Sequence, residues 1–342
     1  MATLKDVSNE AGVGISTASI VLSGGRQLEQ IPEATRERIR SAAMKLKYRP
    51  NAGGRQLRNN HTKTIALFLS AESNRSSLST DLLYAINDEL VKNNYSLNFV
   101  RLDDLSLGNP DFTPRFLRQK EVDGVLVNYN VDMPQRFIDL IHHYEIPAVF
   151  MNVKRQESSV YFDHYKASYK AVEKMISLGH KQIYFVNYTG NFKHYSIEDT
   201  INGYIDALKA HDLDVVMLTN RIEHSGRMAV SKKLLESGME GNPVPTAIMA
   251  MGMSSAIPLV QAAGALGIRI PEQLSVYTID SSSLSTAITP AISHIFLPWQ
   301  KAGICGVQML LKKISGGENS EMSGCIECEW REAGSTVAEC CG

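Results

Sequence analysis

From Lys63 onward, short apolar runs alternate with longer amphipathic stretches. The runs have the length of buried strands, and the stretches carry apolar residues at the spacing of one helix face. Alternation of strand and helix is typical of a parallel sheet covered by helices on both faces. The predicted strands are 65–69, 97–100, 122–127, 148–151, 183–187, 215–218, 247–250 and 275–279, and the predicted helices are 82–90, 137–142, 167–178, 201–211, 228–235 and 256–266.

The alternation pauses at Tyr161-Phe162-Asp163 and then resumes, which favours two α/β lobes in tandem. Such a pair binds small molecules between its lobes, at the carboxyl ends of the strands, and closes about a hinge. Enzymes share this architecture, so catalysis needs separate evidence. The chain has no Walker loop, dinucleotide-binding glycine motif, nucleophile elbow or His-Glu-x-x-His motif, and Gly179-His180 fits a helix end. We therefore expect a binding domain and not an enzyme.

The N-terminal part of the chain follows a different, purely helical pattern. Thr3 and Asp6 have the spacing of a capping box at the start of a first helix, 4–11, which Gly12 ends. A second helix is predicted at 16–23. Two short helices joined by a glycine turn are typical of a helix-turn-helix, and an ordinary pair of antiparallel helices is the alternative.

A third helix begins at Pro32 and ends near Tyr48, which lets three helices enclose a small core. Its apolar stripe is Ala34, Ile39, Ala42, Ala43 and Leu46. The second helix then exposes short hydroxyl and apolar groups, which suit base edges and phosphates. These groups belong to Ile15, Ser16, Thr17, Ser19 and Ile20.

Charge is divided unevenly along the chain. Residues 1–60 contain ten Lys and Arg against five Asp and Glu, a net charge of +5, and the overall charge of -1 leaves -6 for the remainder. A basic head on an acidic body is the charge distribution expected of a protein whose head binds a polyanion.

Several runs in the head occur with the order and spacing of one known family. They are Thr3-Leu4-Lys5-Asp6-Val7, Ala11-Gly12-Val13, Ser16-Thr17-Ala18-Ser19, Val21-Leu22-Ser23-Gly24, Thr35-Arg36-Glu37-Arg38-Ile39 and Tyr48-Arg49-Pro50-Asn51. On these runs the chain resembles the lactose-repressor (LacI/GalR) family, and the resemblance implies a DNA-binding transcriptional regulator.

The resemblance also implies which residues contact DNA. It makes Asn51 to Arg58 a hinge helix that orders on DNA, with Leu57 wedged into the minor groove so that Arg55 and Arg58 reach phosphates. An exposed linker leucine is the alternative for Leu57. The full set of implied contacts is Thr3, Ile15, Ser16, Thr17, Ser19, Ile20, Asn51, Arg55, Leu57 and Arg58.

The head departs from the family pattern at three positions. Gly14 stands where serine is usual, Ile20 where a polar or basic base reader is frequent, and Gly54 where the hinge usually has alanine. Gly53 and Gly54 each cost a helix about 1 kcal/mol relative to alanine. We therefore expect a hinge helix that depends strongly on DNA and on dimer contacts.

The resemblance continues through the body, on runs such as Leu178-Gly179-His180-Lys181, Gly203-Tyr204, Gly267-Ile268 and Ser335-Thr336. It implies an all-α helix-turn-helix domain (1–50), a hinge (51–61), a two-lobed α/β effector domain like periplasmic binding proteins, with parallel sheets (62–337), and a tail (338–342). The implied effector contacts are Asp163, His194, Ser196, Thr200, Arg221, Met253 and Asp280.

The effector positions also depart from the family. Thr200 replaces a usual arginine, Gly252-Met253 replaces Asn-Asp, and Arg221 stands where an aromatic residue is common. Fewer hydroxyl-binding groups and an added cation suggest an effector that is anionic or less polar than a free sugar. The alternative is that Arg221 pairs with a neighbouring acid on the surface.

These observations together predict a repressor that binds a near-palindromic, double-stranded operator as a homodimer and responds to a small-molecule effector. An activator, a regulator whose pocket no longer senses sugar, and a ligand-binding protein without DNA are the alternatives.

The start of the chain has no signal peptide pattern and no apolar stretch is long enough to span a membrane, so we expect a cytoplasmic protein. Cys325 and Cys328 lack a second ligand pair, so no metal or cofactor is expected. The sequence after Gly317 has no heptad repeat, so it does not indicate a tetramer.

Overall fold

The computed structural model describes residues 2–23, 28–48, 61–72, 75–76, 78–190, 193–239, 241–280, 284–317 and 323–337, without the side chains of Ser23 and Asp280. The chain divides into two compact units, a head (Met1–Thr62) and a body (Lys63–Gly342).

The head consists of helices α1 (Leu4–Ala11), α2 (Ile15–Ser23) and α3 (Glu33–Lys45), with a short 3-10 turn at Leu28–Gln30. Pro32 precedes α3 as its N-cap instead of opening it. The three helices enclose one small core of Val7, Ala11, Ala18, Val21, Ile39, Ala42 and Ala43. Ala34 does not join the predicted stripe, because it lies on the exposed side of α3.

The first lobe of the body is built on a six-stranded parallel sheet. Its strands in spatial order are β11 (Gly324–Ile326), β5 (Ser159–Phe162), β4 (Ala148–Met151), β3 (Gly124–Asn128), β1 (Thr64–Ser70) and β2 (Ser96–Leu102). Helices α4 (Thr80–Lys92) and α13 (Trp299–Ile314) pack on one face, around a core that contains Ile86, Leu126 and Leu310. The opposite face is covered by α5 (Asp104–Gly108), α6 (Arg115–Arg118) and α7 (Gln135–His143).

The second lobe repeats this architecture. Its strands in spatial order are β12 (Glu329–Arg331), β10 (Ser293–Phe296), β9 (Ser275–Asp280), β8 (Ala247–Ala250), β6 (Ile183–Val186) and β7 (Val216–Leu218). Only β12 among them runs antiparallel to its neighbour. The covering helices are α8 (His164–Ser177) and α9 (Tyr195–Lys209) on one face and α10 (His224–Ser237) and α11 (Met253–Leu266) on the other, and α12 (Leu284–Ala287) follows β9.

The chain passes between the two lobes three times. It leaves the first lobe between β5 and α8, returns between β10 and α13, and leaves again between β11 and β12. Leu297 on the second crossing and Cys328 on the third each pack against the cores of both lobes. The crossings therefore form a hinge with apolar residues at its centre.

The predicted fold class, a helical head followed by a two-lobed α/β body, is confirmed. Each strand and helix predicted in the body up to residue 280 is present; strands 148–151 and 247–250 have the predicted ends, and the others are shifted at one end or both. The sequence interpretation missed the short helices α5 and α6, strand β5 and everything after β9, including the sixteen-residue helix α13. It also missed the antiparallel strand β12, which makes the second sheet mixed.

Candidate functional site

The second helix of the head presents its N-terminal end to solvent. Ile15 is 46% exposed, and Ser16 is exposed beside it. Thr17, Ser19 and Ile20 are half-buried, because they flank Ala18 and Val21, whose side chains lie in the core of the head. Ile15 and Ser16 are thus the two members of this predicted set that stand furthest out from the head.

The turn into this helix is fixed by α1. The Thr3 hydroxyl accepts the N–H of Asp6 at 3.3 Å, and the Asp6 carboxylate accepts the N–H of Thr3 at 2.8 Å, so the predicted capping box is present. These hydrogen bonds to Thr3 lower the pKa of Asp6. Gly12 ends the helix in the left-handed conformation, with φ 62° and ψ 41°. Arg38 of α3 donates to the carbonyl of Ala11 at 3.1 Å, which ties α3 to the same turn.

The remaining predicted DNA contacts are Asn51, Arg55, Leu57 and Arg58, and they lie outside the described residues, as do Gly53 and Gly54. The hinge-helix prediction therefore stays a prediction.

The body contains a cavity of about 510 Å³ between its lobes. The first lobe contributes Ser76, Asn130 and Asn152, which follow β1, β3 and β4. The second contributes Thr189 and Met251, which follow β6 and β8. The cavity thus lies at the carboxyl ends of both sets of parallel strands, the position at which such folds bind ligands. The crossings complete its wall with His164, Leu297 and Trp299.

Two of the seven predicted effector residues line this cavity, His194 and Ser196 at the start of α9. They form a hydrogen bond of 2.6 Å with each other. The other described members of the set do not line it. Asp163 caps α8 by accepting the N–H of Lys166 at 3.0 Å, and Met253 is buried one residue beyond the lining residue Gly252.

Thr200 and Arg221 occupy different surroundings. Thr200 is fully buried in α9, where its hydroxyl has no hydrogen-bond partner. The side chain of Arg221 is 81% exposed and lies 3.9 Å from Glu223. This is the surface pairing that the sequence left as the alternative to ligand binding. The backbone of Asp280 ends β9 next to the lining residue Ile279, and its side chain lies outside the description.

His164 is a lining residue that the sequence interpretation missed. It is the first residue of α8, is only 3% exposed, and its Nδ1 atom has no hydrogen-bond partner. Burial, with smaller contributions from the charges of His194 and Lys154, lowers the pKa of His164 from 6.5 to about 3, so the ring is neutral at physiological pH. Its place directly after Asp163, where the strand pattern pauses, was the available signal.

Several polar contacts join the lobes beside the cavity. His194 lies 3.0 Å from the carbonyl oxygen of Asn152, and the Tyr195 hydroxyl donates to the side-chain oxygen of Asn152 at 2.9 Å. Lys154 of the first lobe pairs with Asp199 of the second at 2.8 Å. We call these five residues, Asn152, Lys154, His194, Tyr195 and Asp199, the inter-lobe latch. Burial lowers the pKa of His194, as it does that of His164.

Three residues considered for catalysis or metal binding, His180, Cys325 and Cys328, have structural surroundings. His180 is 3% exposed; its backbone N–H donates to the carbonyl of Met175 at the end of α8, and its ring nitrogens lie 3.1 Å from the Thr246 hydroxyl and 2.9 Å from the carbonyl of Val337, so the ring joins distant segments. Burial raises the pKa of Cys325 on β11 and of Cys328 on the third crossing, the latter to about 12. Within the described ranges, no cluster of three or more His, Cys, Asp or Glu side chains could hold a metal ion. Within the same ranges, no helix has the length and apolar character required to cross a membrane.

Comparison with family models gives two matches. Residues 3–51 match the bacterial regulatory proteins of the lacI family. Residues 172–336 match the periplasmic binding protein-like domain. The matches fall on the head and on the second lobe with its following crossings.

Curated relatives align along almost the entire chain. The probable HTH-type transcriptional repressor ExuR of Bacillus subtilis (strain 168) is 29% identical, with 93% of each chain covered. The HTH-type transcriptional repressor PurR of Vibrio vulnificus (strain CMCP6) is 26% identical, with 94% of each chain covered. Both are named as transcriptional repressors and not as enzymes.

Among solved structures, the lac repressor dimer bound to operator and the anti-inducer ONPF superimposes with a TM-score of 0.77 at 22% identity, covering 98% of this chain and 99% of that one. A complex of the transcriptional regulator CelR with cellobiose gives a TM-score of 0.65 at 22% identity, covering 98% of this chain and 100% of that one. The head motifs, the fold and the full-length relatives agree: the chain carries a head that matches the lacI family of bacterial regulatory proteins, followed by a periplasmic binding protein-like domain.

Proposed function

We propose that this protein is a cytoplasmic, sequence-specific transcriptional repressor whose affinity for DNA is controlled by a small molecule bound between its lobes. The observation that carries the proposal is that head and body align together with repressors over more than nine-tenths of the chain. A helix-turn-helix alone supports DNA binding, and a cavity alone supports ligand binding. Their presence in one chain supports control of the first by the second.

In this proposal the N-terminal end of α2 reads bases in the major groove. Ile15 offers an apolar surface to thymine methyl groups, and Ser16 offers a hydroxyl to base edges or phosphates. A homodimer places two such helices about one turn of DNA apart, which requires a near-palindromic operator. Leu57, with Arg55 and Arg58, extends the contact into the minor groove.

The effector acts on this contact by its preference for one arrangement of the lobes. A ligand in the cavity contacts both lobes and the hinge, so it stabilises the lobe arrangement in which those contacts form. The direction of the effect depends on whether that arrangement favours or disfavours the DNA-bound head. By thermodynamic linkage, operator DNA changes effector affinity by the same factor.

The test is selection of bound sequences from random duplex DNA, followed by anisotropy titration of the selected duplex at two salt concentrations. We expect an inverted repeat, with binding weakened by Ser16→Ala and by Leu57→Ala. Met44→Ala is the control, because Met44 is an exposed side chain of α3 that faces away from the head core. Binding that depends on salt but not on sequence, or equal losses in all three variants, would contradict the proposal.

A further inference from the structure

The described wall of the cavity between the lobes carries no formal charge. Its described lining residues include amides, hydroxyls, imidazoles and apolar side chains, and none is Lys, Arg, Asp or Glu. This part of the wall therefore offers no cation that could meet an anionic ligand.

The basic residues adjacent to the wall in sequence are engaged or exposed. Arg75, next to Ser76, pairs with Asp104 at 2.9 Å. Lys154 pairs with Asp199 in the inter-lobe latch. Lys193, next to His194, is exposed to solvent, so water screens its charge. An anion in the cavity would therefore have to break an existing ion pair or draw the Lys193 ammonium group out of solvent to gain a counter-charge.

The two imidazoles do not supply positive charge either. His164 is buried with its pKa lowered to about 3, and the pKa of His194 is lowered by burial. Because Nδ1 of His164 lacks a hydrogen-bond partner, its burial carries an uncompensated desolvation cost.

Two helix N-termini at the wall attract partial negative charge. Helix α11 begins after the lining residue Gly252 and α13 begins at the lining residue Trp299, and neither has a side-chain cap or an acidic residue in its first turn. The N–H of Trp299 already donates to the carbonyl of Leu297 at 2.8 Å, and the other backbone N–H groups of the two first turns suit hydroxyl or carbonyl oxygens. The stabilisation by a helix terminus is smaller than the cost of removing a full charge from water, so these termini favour polar oxygens over an ion without a counter-charge.

We propose that the effector is an uncharged molecule that directs oxygen acceptors at the starts of α11 and α13 and an apolar face at Leu297 and Trp299. The proposal rests on the proposed function, since it concerns the same effector site. In it, His164 contributes a neutral ring to the wall of the site. It also excludes Arg221 from the site, in contrast to the anionic effector that the sequence left open.

The first experiment compares matched neutral and anionic ligands by calorimetry. The probes are glucose and glucuronate, ribose and ribose phosphate, and adenosine and adenosine monophosphate, each at up to millimolar concentration. The second step incubates the protein with a mixture of bacterial metabolites and identifies the retained molecule by native mass spectrometry. We expect the neutral member of any binding pair to bind at least about tenfold more tightly, and the retained molecule to be uncharged. An anionic winner, or no ligand in either step, overturns the proposal.

A substitution in the wall sharpens this test. Met251 lines the cavity after β8, and lysine matches its unbranched shape while adding a cation. For a pair of probes that binds, Met251→Lys should increase the affinity for the anionic probe relative to the neutral one by about tenfold. The neutral control Met251→Gln should leave this ratio unchanged. If both variants shift the preference equally, the wall charge does not decide specificity and the proposal fails.

The operator selection distinguishes this proposal from the proposed function. Recovery of an inverted repeat together with an anionic effector would leave the repressor function intact and overturn only the claim about charge. Failure to recover any operator, with a neutral ligand bound in the cavity, would overturn the repressor function and leave the claim about charge intact.

Discussion

The head and the body are stabilised in different ways. Among the described residues, the buried core of the head contains no side chain larger than isoleucine, and α1 is fixed by a local capping box of Thr3 and Asp6. The body buries large aromatic side chains whose hydroxyls reach other segments. Tyr204 of α9, for example, lies 2.8 Å from the carbonyl oxygen of Ile183 and 2.9 Å from that of Val216.

This difference determines how each region responds to substitution. A small core contributes little burial, so turns and caps provide a large share of the stability of the head. The body depends on close packing between distant segments, where added volume meets atoms that cannot move away. Both tryptophans, Trp299 and Trp330, belong to the body, so tryptophan fluorescence reports on its unfolding separately from that of the head.

The largest effect is expected at Gly203, where α9 crosses α8. A Cβ atom there would lie 2.3 Å from the carbonyl oxygen of Tyr165 and 3.0 Å from the Cβ of Ser168. Gly203→Ala should lower the free energy of unfolding of the body by about 3 kcal/mol, measured by urea unfolding with tryptophan fluorescence. Gly264→Ala is the control, because no atom lies within 4 Å of that Cβ and alanine stabilises a helix. Equal values for the two variants would show that α8 and α9 do not pack this closely.

The next effect concerns acid stability of the body. His164 has an ordinary pKa of 6.5 when unfolded and about 3 when folded, so between these values the unfolded state binds a proton that the folded state does not. Its contribution is therefore complete above pH 6.5 and is lost as the pH falls, by up to about 1.4 kcal/mol per pH unit. In His164→Asn, the fall in unfolding free energy below pH 6.5 should be shallower, because only His194 still contributes in this way. Identical pH dependence in both proteins would mean that His164 is protonated in the folded state.

In the head, the left-handed turn at Gly12 should have a smaller but localised effect. Alanine at φ 62° costs about 1–2 kcal/mol, which is a large fraction of the stability of a small domain. Gly12→Ala should accelerate hydrogen exchange of amides in α1 and α3 without changing tryptophan fluorescence unfolding of the body. Gly14→Ala is the matched control, since Gly14 has no positive φ and its Cβ would be 3.9 Å from the nearest atom. Equal exchange in both variants would argue against a strained turn.

The smallest effect is expected in the inter-lobe latch. Lys154 is 46% exposed and Asp199 is 16% exposed, so their pair contributes less than about 1 kcal/mol. Asp199→Asn should leave the unfolding free energy almost unchanged and increase the radius of gyration of the ligand-free protein in small-angle scattering. Glu121→Gln breaks an ion pair with Arg115 inside the first lobe and should not change the radius. A matching increase in both variants would mean that the latch does not hold the lobes together.

Periodicity predicted most of the elements because most are long enough to show it. Helix 4–11 and strand 247–250 were predicted with their observed ends. Strands β11 and β12 are three residues long, which is too short for an alternating pattern to be recognised. Helix α13 is a different case, because Trp299, Ala302 and Leu310 have the spacing of one helix face, so this helix could have been predicted.

The site was less predictable than the fold because its residues meet only after folding. His194 and Ser196 were found by resemblance, and both line the cavity. Asn130 and Asn152 were missed, because a single polar residue after a strand has no distinctive pattern until the strand order is known. Resemblance can also mislead, as at Arg221: this cation occupies a position that resemblance assigns to the ligand, but its side chain is exposed to solvent.

The three crossings have a consequence for synthesis of the chain. Neither lobe is a continuous segment: the first lacks α13 and the edge strand β11 until residue 326 has been made, and the second lacks β12 until residue 331. A ribosome therefore releases almost the whole body before either sheet can be completed, and the two lobes must finish folding together. Removal of the chain from residue 329 onward would take the edge strand β12 from the second lobe, and removal from residue 324 would take an edge strand from both lobes, so nonsense mutations as late as these positions should be nearly as harmful as early ones.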